Sequence, residues 1–292
     1  MEKIKGIEKG ALKIKEVTIK GISGNQKKVT YEGRVKDELG YIPYSVWNLT
    51  KDQKLMKLVN DAGDIRYTDE GDALSELNPS TVKRCLDIWS KKGDLVLDPF
   101  LNRGSTSILS AYFGRIGYGN DIVPEYVRSV INQREYLKKL YKWAENIHIS
   151  LGDARDIDRI LETIFKIKEV DYIITSPPFW NVEKYLSTDG QMSDISDYEY
   201  FLKEYEWIII KLYKILKIEK FVTFIVNDFR RGGKYFWFSG DTIQIFLRNG
   251  FELHDIVINV VRTPHVSGVG DAVLVQKRTL KYHEYVLTFK KT

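Results

Sequence analysis

The sequence predicts an α/β protein. Its core is a doubly wound, mainly parallel sheet of seven strands with an antiparallel last strand, preceded by a smaller β-rich and helical N-terminal extension. Three observations predict this. From residue 79 onward, short apolar runs alternate with amphipathic stretches of helical period. The apolar runs end on acidic or small residues that lead directly toward the next helix. The last two runs, "FELHDIVINVV" and "EYVLTFKK", have no helix between them, so the final strand must fold back on its neighbour. Strand–helix alternation with right-handed crossovers otherwise gives a parallel sheet covered on both faces.

Residues 1–77 form the expected extension. "ALKIKEVTIKG" and "KKVTYEGRV" alternate in places and read as short strands and hairpins. "GYIPYSVWNLT" follows, then a lysine-rich helix candidate, "KDQKLMKLVNDAG". The main domain spans residues 78–292. It opens with the helix "PSTVKRCLDIWSKKG", with Pro79 and Ser/Thr at its start and Gly93 at its close. "DLVLDPF" is a buried strand, "GSTSILSAYFG" a helix and "RIGYGND" a second strand. "VPEYVRSVINQREYLKKLYKWAEN" is a long helix with Pro124 in its first turn. The third strand is "IHISLGDA", followed by the helix "RDIDRILETIFKIKE" and a fourth strand, "VDYIITSPPF". "SDYEYFLKEYEWIIIKLYKILK" is helical, "KFVTFIVNDF" the fifth strand and "SGDTIQIFLRNG" the last helix.

Composition narrows the function classes. The 292 residues carry a formal charge of +5, from 45 Lys/Arg against 40 Asp/Glu, a mild bias toward polyanionic partners. The excess is concentrated at the start, where residues 1–36 hold a net +6 and the rest sum to −1. That segment suits an arm along phosphates or a lysine-rich edge strand that resists aggregation. Cys85 is the only cysteine and sits in an amphipathic helix, which fits packing and a reducing compartment. The four histidines are scattered without metal-ligand spacing. With no secretory h-region and no long apolar run, a cytoplasmic protein without metal or membrane is expected.

In such a sheet ligands bind beyond the carboxyl ends of the strands. The first strand ends at Asp98, followed by a loop with Gly104, where the backbone is expected to approach something closely. The second ends at Asp121, placed to accept ribose hydroxyls. The third ends in "GDA", where Asp153 suits an exocyclic amine. The loops fit neither GxGxxG nor a P-loop. Singly, each Asp also reads as a helix cap or turn residue. Together, acidic tips suit a nucleoside without phosphates.

These residues carry a resemblance. "DPFLNRGST" resembles motif I, and "TSPPFW" motif IV, of the S-adenosylmethionine-dependent DNA amino-methyltransferases, the N4-cytosine and N6-adenine family. "NDIVPEYV" and "GDARDI" resemble motifs II and III. The likeness covers residues 78–292 and implies a Rossmann-like methyltransferase fold with S-adenosylmethionine as cofactor. It implies that Asp98, Phe100 and Gly104 shape the methionine pocket, with Pro99, Asn102 and Ser105 of the same loop also binding the cofactor. Asp121 would hold the ribose, with Ile122 beside it in the cofactor site, Asp153 with Ala154 would border the adenine, and Ser80 or Thr81 would touch the cofactor carboxylate. Asn102 departs from the family's usual Gly, although Asn tolerates left-handed backbone angles better than most residues.

The "TSPPFW" stretch is the expected catalytic centre: Ser176 and the Pro177 carbonyl accept from a base amine, Pro178 stiffens the turn, and Phe179 stacks on the base. Ring-carbon methylation would need a nucleophilic thiol, which Cys85 is not placed to supply. The expected substrate is double-stranded DNA with the target base flipped. The "SPP" form favours cytosine N4 over adenine N6. An RNA base amine, or a catalytically silent nucleic-acid-binding protein of the same fold, remains open. Trp180, Tyr185 and residues 187–197 suit either a flap over the site or an ordinary long surface loop. Arg230, Arg231 and Lys234 in "NDFRRGGKYFW", and Arg262, Lys277 and Arg278 in the loop before the last strand, are expected to contact nucleic acid. A restriction endonuclease partner fits the same family.

Overall fold

The structure, a computed structural model, describes residues 17–20, 26–29, 41, 44–60, 77–180, 182, 185–260, 277, 279 and 282–292. The chain forms two compact units, Met1–Tyr44 and Ser45–Thr292. In the first, β1 (Val17–Lys20) and β2 (Gln26–Val29) pair antiparallel, with Val17 opposite Val29, as the alternation there predicts.

The second unit is built on strands β3 (Val46–Trp47), β4 (Leu95–Asp98), β5 (Ile116–Asp121), β6 (Ile147–Leu151), β7 (Val170–Thr175), β8 (Leu216–Val226), β9 (Phe229–Arg231), β10 (Lys234–Phe236), β11 (Phe251–Val260) and β12 (His283–Lys291). Eight of them form one sheet in the order β3, β11, β12, β8, β7, β4, β5, β6. All seven expected strands are present. An eighth, β3, runs parallel to β11, with Val46 beside Ile258. β12 is antiparallel to both β8 and β11. Strand order reverses between β4 and its neighbours β5 and β7, which puts the topological switch at the end of β4.

Helices α1 (Gln53–Asn60), α2 (Pro79–Trp89), α3 (Ser105–Tyr112), α4 (Pro124–Leu140), α5 (Ile157–Ile160), α6 (Tyr198–Ile215) and α7 (Phe238–Arg248) cover the sheet. The α2 start differs in detail from the expectation. Asn78 is the cap, its side chain accepting from Ser80 N at 3.0 Å, and Pro79 fills the first turn, where a missing N–H costs nothing. Helix α6 passes directly into β8, four residues before the expected strand. The buried Lys291 ammonium makes that junction possible by donating to Tyr213 O at 2.6 Å and Leu216 O at 2.7 Å, which satisfies carbonyls the helix leaves open.

One face of the sheet packs against α6 and α7 through Phe201, Tyr205, Phe224, Phe246 and Phe289. The other packs against α1 and α2 through Trp47, Leu55, Val82, Leu86 and Ile174. Cys85 lies within this second core, and burial pushes its thiol well above the usual range, so it packs rather than reacts. "NDFRRGGKYFW" is a hairpin: Gly232 and Gly233 both take positive φ and turn β9 into β10. Among the described residues, no helix is long and apolar enough to cross a membrane, and no group of His, Cys, Asp and Glu is placed to hold a metal ion.

Candidate functional site

The carboxyl ends of β4, β5 and β7 and the turn after β6 meet at one cleft, with an empty volume, mouth included, of about 860 Å³. Asp98, Pro99, Phe100, Asn102, Ser105, Asp121, Ile122, Asp153 and Ala154 line it, and so do Ser176, Pro178 and Tyr185. The tips of the first and fourth parallel strands are bonded directly: Thr175 Oγ1 donates to Asp98 Oδ1 at 2.6 Å. The two ends of the expected chemistry therefore share one wall.

The acidic tips are buried. Burial pushes the Asp98 carboxyl up to about 7, against the pull of its bonds from Thr175 and the Phe100 amide. Burial likewise lifts Asp121 to about 6, although the amides of Val123 (3.0 Å) and Asn102 (2.8 Å) donate to its two oxygens. Asp121 thereby braces the loop after β4. Asn102 adopts φ 43°, the left-handed angle that glycine takes without strain and that Asn, as expected from the sequence, tolerates. Its Oδ1 is buried in the cleft wall without a hydrogen-bond partner.

Gly104 requires a correction. It does not line the cleft, and what its backbone approaches is α4. It caps α3 at φ 76°, and a Cβ there would lie 2.6 Å from Val130 Cγ1. Ser80 is also turned elsewhere: its hydroxyl donates to Thr50 O at 2.7 Å and accepts from Asp52 N at 3.2 Å, fastening α1 to α2.

Asp153 is held by Arg155, whose role no local sequence pattern announces. The Arg155 Nε donates to its Oδ1 at 2.9 Å and Nη2 to its Oδ2 at 2.5 Å, while Nη1 reaches Glu204 on α6 at 2.5 Å. The same Nη2 donates to Gly190 O at 2.9 Å. Gly190, Gln191 and Met192 also line the cleft, which brings the candidate flap after "TSPPFW" to the site. Its other end is tied where Leu186 N donates to Tyr126 OH at 3.1 Å.

In "TSPPFW", Ser176 Oγ donates to Ile225 O on β8 at 3.1 Å. Pro177 and Pro178 are buried, and the half-buried Phe179 meets Phe238 edge-on, centroids 6.0 Å apart. Trp180 departs from its expected role. It is only 8% exposed and packs with Phe236 (5.0 Å), Tyr198 (5.1 Å) and Phe229 (6.2 Å). Bulk apolar area from three other segments outweighs any pull toward solvent. Arg230, Arg231 and Lys234 are exposed on the hairpin this cluster anchors, with Arg230 over the Tyr235 ring at 4.8 Å. Lys277 is exposed, and Arg262 and Arg278 lie outside the described residues.

Leu77, Leu101, Arg103, Thr106 and Tyr126 line the cleft as well, beyond the expected site residues. Arg103 and Thr106 sit inside the motif I stretch and were legible there. Tyr126, on the first turn of α4, was not.

The donor set fits S-adenosylmethionine: buried carboxylates suit hydroxyls and a cation, and the orphaned Asn102 amide oxygen offers one more acceptor. Comparison with known proteins agrees. Residues 25–134 match the family model described as DNA methylase, of the N6/N4 class, and this family implies S-adenosylmethionine as cofactor. The match includes Asp98 and Asp121 but not Ser176. Over 95 residues, 30% of this chain, the sequence is 32% identical to a "Probable tRNA (guanine(10)-N2)-dimethyltransferase" of Methanothermococcus thermolithotrophicus. The matched stretch spans about half (52%) of that relative. A "putative RNA methyltransferase" of Pyrococcus horikoshii superposes with a TM-score of 0.51 at 14% identity, covering 84% of this chain and 100% of the other. That likeness establishes the Rossmann-like α/β fold with its antiparallel C-terminal strand.

Proposed function

We propose, from the premise that this chain matches the N6/N4 DNA methylase family, that it methylates the exocyclic amine of a flipped base in DNA, cytosine N4 ahead of adenine N6. One observation carries the reading: Asp98 and Ser176 line a single cleft, with the strand tips that present them bonded through Thr175. The cofactor, when bound, supplies a methyl group already activated on sulfonium sulfur. Asp98, Phe100, Asn102, Asp121, Ile122, Asp153 and Ala154 would hold it.

The chain's own contribution is alignment. A base amine is a poor nucleophile because its lone pair is conjugated into the ring. The Ser176 hydroxyl spends its hydrogen on Ile225 O, so its oxygen faces the substrate as an acceptor. The Pro177 carbonyl is a second acceptor. Neither proline has an N–H to compete for the base. Two acceptors hold the amine hydrogens and leave the nitrogen free to turn toward the methyl donor. The amine becomes strongly acidic only once alkylated, so its proton leaves afterwards and Ser176 need not be a strong base. Phe179 offers a ring for stacking, a contact worth roughly 1–3 kcal/mol per base.

A second reading, an amine in RNA, draws support from the 32% identity to a tRNA guanine-N2 dimethyltransferase. Transfer of labelled methyl from S-adenosylmethionine to duplex DNA and to tRNA, with the product digested to nucleosides, separates the two. The DNA reading expects N4-methylcytosine and a loss of at least tenfold in Ser176→Ala, about the cost of one hydrogen bond to the reacting group. Label only in RNA would replace it with the second reading.

A further inference from the structure

Arg155 belongs to none of the roles assigned above, yet its guanidinium joins three parts of the molecule. It grips Asp153 with Nε and Nη2, reaches Glu204 on α6 with Nη1, and donates from Nη2 to the Gly190 carbonyl on the flap. A planar fork can satisfy all three partners at once, which an ammonium cannot do with the same geometry. The contact is tight at the flap end. Gly190 sits at φ 85°, and a Cβ there would lie 2.8 Å from Arg155 Nη2, 3.1 Å from Ile122 Cδ1 and 3.3 Å from Asp153 Oδ2. The flap backbone thus rests directly on the second and third strand tips.

We infer that Arg155 is a positioning residue that latches the flap at Gly190 over the cofactor end of the cleft. The latch ties closure to the orientation of Asp153. The inference rests on reading that cleft as the S-adenosylmethionine site. Its physical content is that three strong, charge-assisted bonds, two to Asp153 and one to Glu204, fix the guanidinium, which leaves one Nη2 hydrogen directed at the flap carbonyl. Removing the side chain frees the flap and leaves Asp153 held only by the Arg155 backbone amide, which donates to its Oδ1 at 2.8 Å. Adding a methyl at Gly190 opens the same joint from the other side.

The test uses the 292-residue chain with four variants: Arg155→Ala, Arg155→Lys, Gly190→Ala and Glu204→Gln. In the free protein, limited proteolysis and hydrogen exchange read protection of residues 185–194. With S-adenosylmethionine as probe, stopped-flow measures dissociation. The latch expects Arg155→Ala and Gly190→Ala each to speed cofactor dissociation and flap exchange about tenfold, the loss of one charge-assisted bond. The double variant should be no worse than either single one, Arg155→Lys should recover part of the protection, and Glu204→Gln should change flap exchange less than threefold. KM for S-adenosylmethionine should rise more than kcat falls. Folded Arg155→Ala and Gly190→Ala proteins with wild-type flap protection would overturn the latch. Failure of the wild-type protein to bind S-adenosylmethionine would overturn the reading of the cleft instead, and flap protection would still decide the latch.

Discussion

Asn102 takes a backbone angle that glycine adopts without strain, φ 43°. A residue less tolerant of that region costs about 1–2 kcal/mol there. Asn102→Ala is therefore expected to lower stability by about 1 kcal/mol in thermal unfolding, whereas Asn102→Gly should unfold within a degree or two of the parent. Gly104 is the stricter position, because φ 76° and the nearby Val130 act together. Gly104→Ala is expected to cost about 2–4 kcal/mol, with part recovered when Val130→Ala makes room. The acidic tips add a pH dependence. Asp98 titrates near 7 and Asp121 near 6 in the free chain, above the 3.8 of an unperturbed Asp, so between those values the folded state binds more protons than the unfolded one. Their contribution to stability is complete below about pH 4 and is lost as pH rises through 6 to 7. A cationic ligand favours the ionised carboxylates, so S-adenosylmethionine affinity should run the other way, rising from pH 5.5 to 7.5. Calorimetric titration across that range checks both sign and midpoint, and Asp98→Asn should flatten the curve.

At the scale of elements, the hairpin of β9 and β10 is held by its underside. Phe229 and Phe236 stack at 5.3 Å and enclose Trp180 with Tyr198, while Arg230, Arg231 and Lys234 stand in solvent. Trp180→Ala should therefore act first on stability, losing about 3 kcal/mol or more as a buried aromatic, with binding affected only through the loosened hairpin. Reversing Arg230 and Arg231 to Glu removes their cation–π contacts with Tyr235 and Trp180, about 0.5–1 kcal/mol each at exposed sites, and should lower DNA affinity. The slope of log K against log salt should become shallower by about 0.9 for each phosphate contact removed; an unchanged slope would take the hairpin out of the groove. The same contrast shows what the sequence made legible. Strand tips could be read because an apolar run ending in Asp needs only local pattern, and Asp98, Asp121 and Ser176 do meet at one cleft. Trp180 could not be placed, because its burial depends on partners at 198, 229 and 236 that no local window contains. Gly104 was flagged for the right reason, close approach, but its partner, Val130, comes from the following helix. The flap was foreseen as a loop, while its anchor at Arg155 depends on a carbonyl 35 residues further along.

At the scale of the whole molecule, the sheet extends beyond the expected domain boundary at residue 78. Strand β3 and helix α1 come from residues 45–60, yet Trp47, Leu55 and Val59 are buried in the same core as Val82, Leu86 and Trp89, with Trp47 and Trp89 ring centroids 6.1 Å apart. Polar ties reinforce the junction. Gln133 Nε2 donates to Leu58 O at 2.7 Å, and Ser80 bonds the chain at 50 and 52. Three buried side chains are worth roughly 1.5–3 kcal/mol each, so removing them withdraws about 5–9 kcal/mol from a fold whose net stability is of order 5–15 kcal/mol. The N-terminal unit, Met1–Tyr44, holds the basic segment and none of these core residues. Two truncations therefore have opposite expected outcomes. A protein starting at Ser45 should fold cooperatively and bind S-adenosylmethionine as the full chain does, with weaker and less salt-dependent affinity for nucleic acid if the lysine-rich segment lies along phosphates. A protein starting at Asn78 should be aggregation-prone or unfold at far lower denaturant, because the face of α2 that carries Val82 and Leu86 has lost its cover. Equal stability of the two would mean that β3 and α1 add nothing to the fold, and the boundary would return to residue 78.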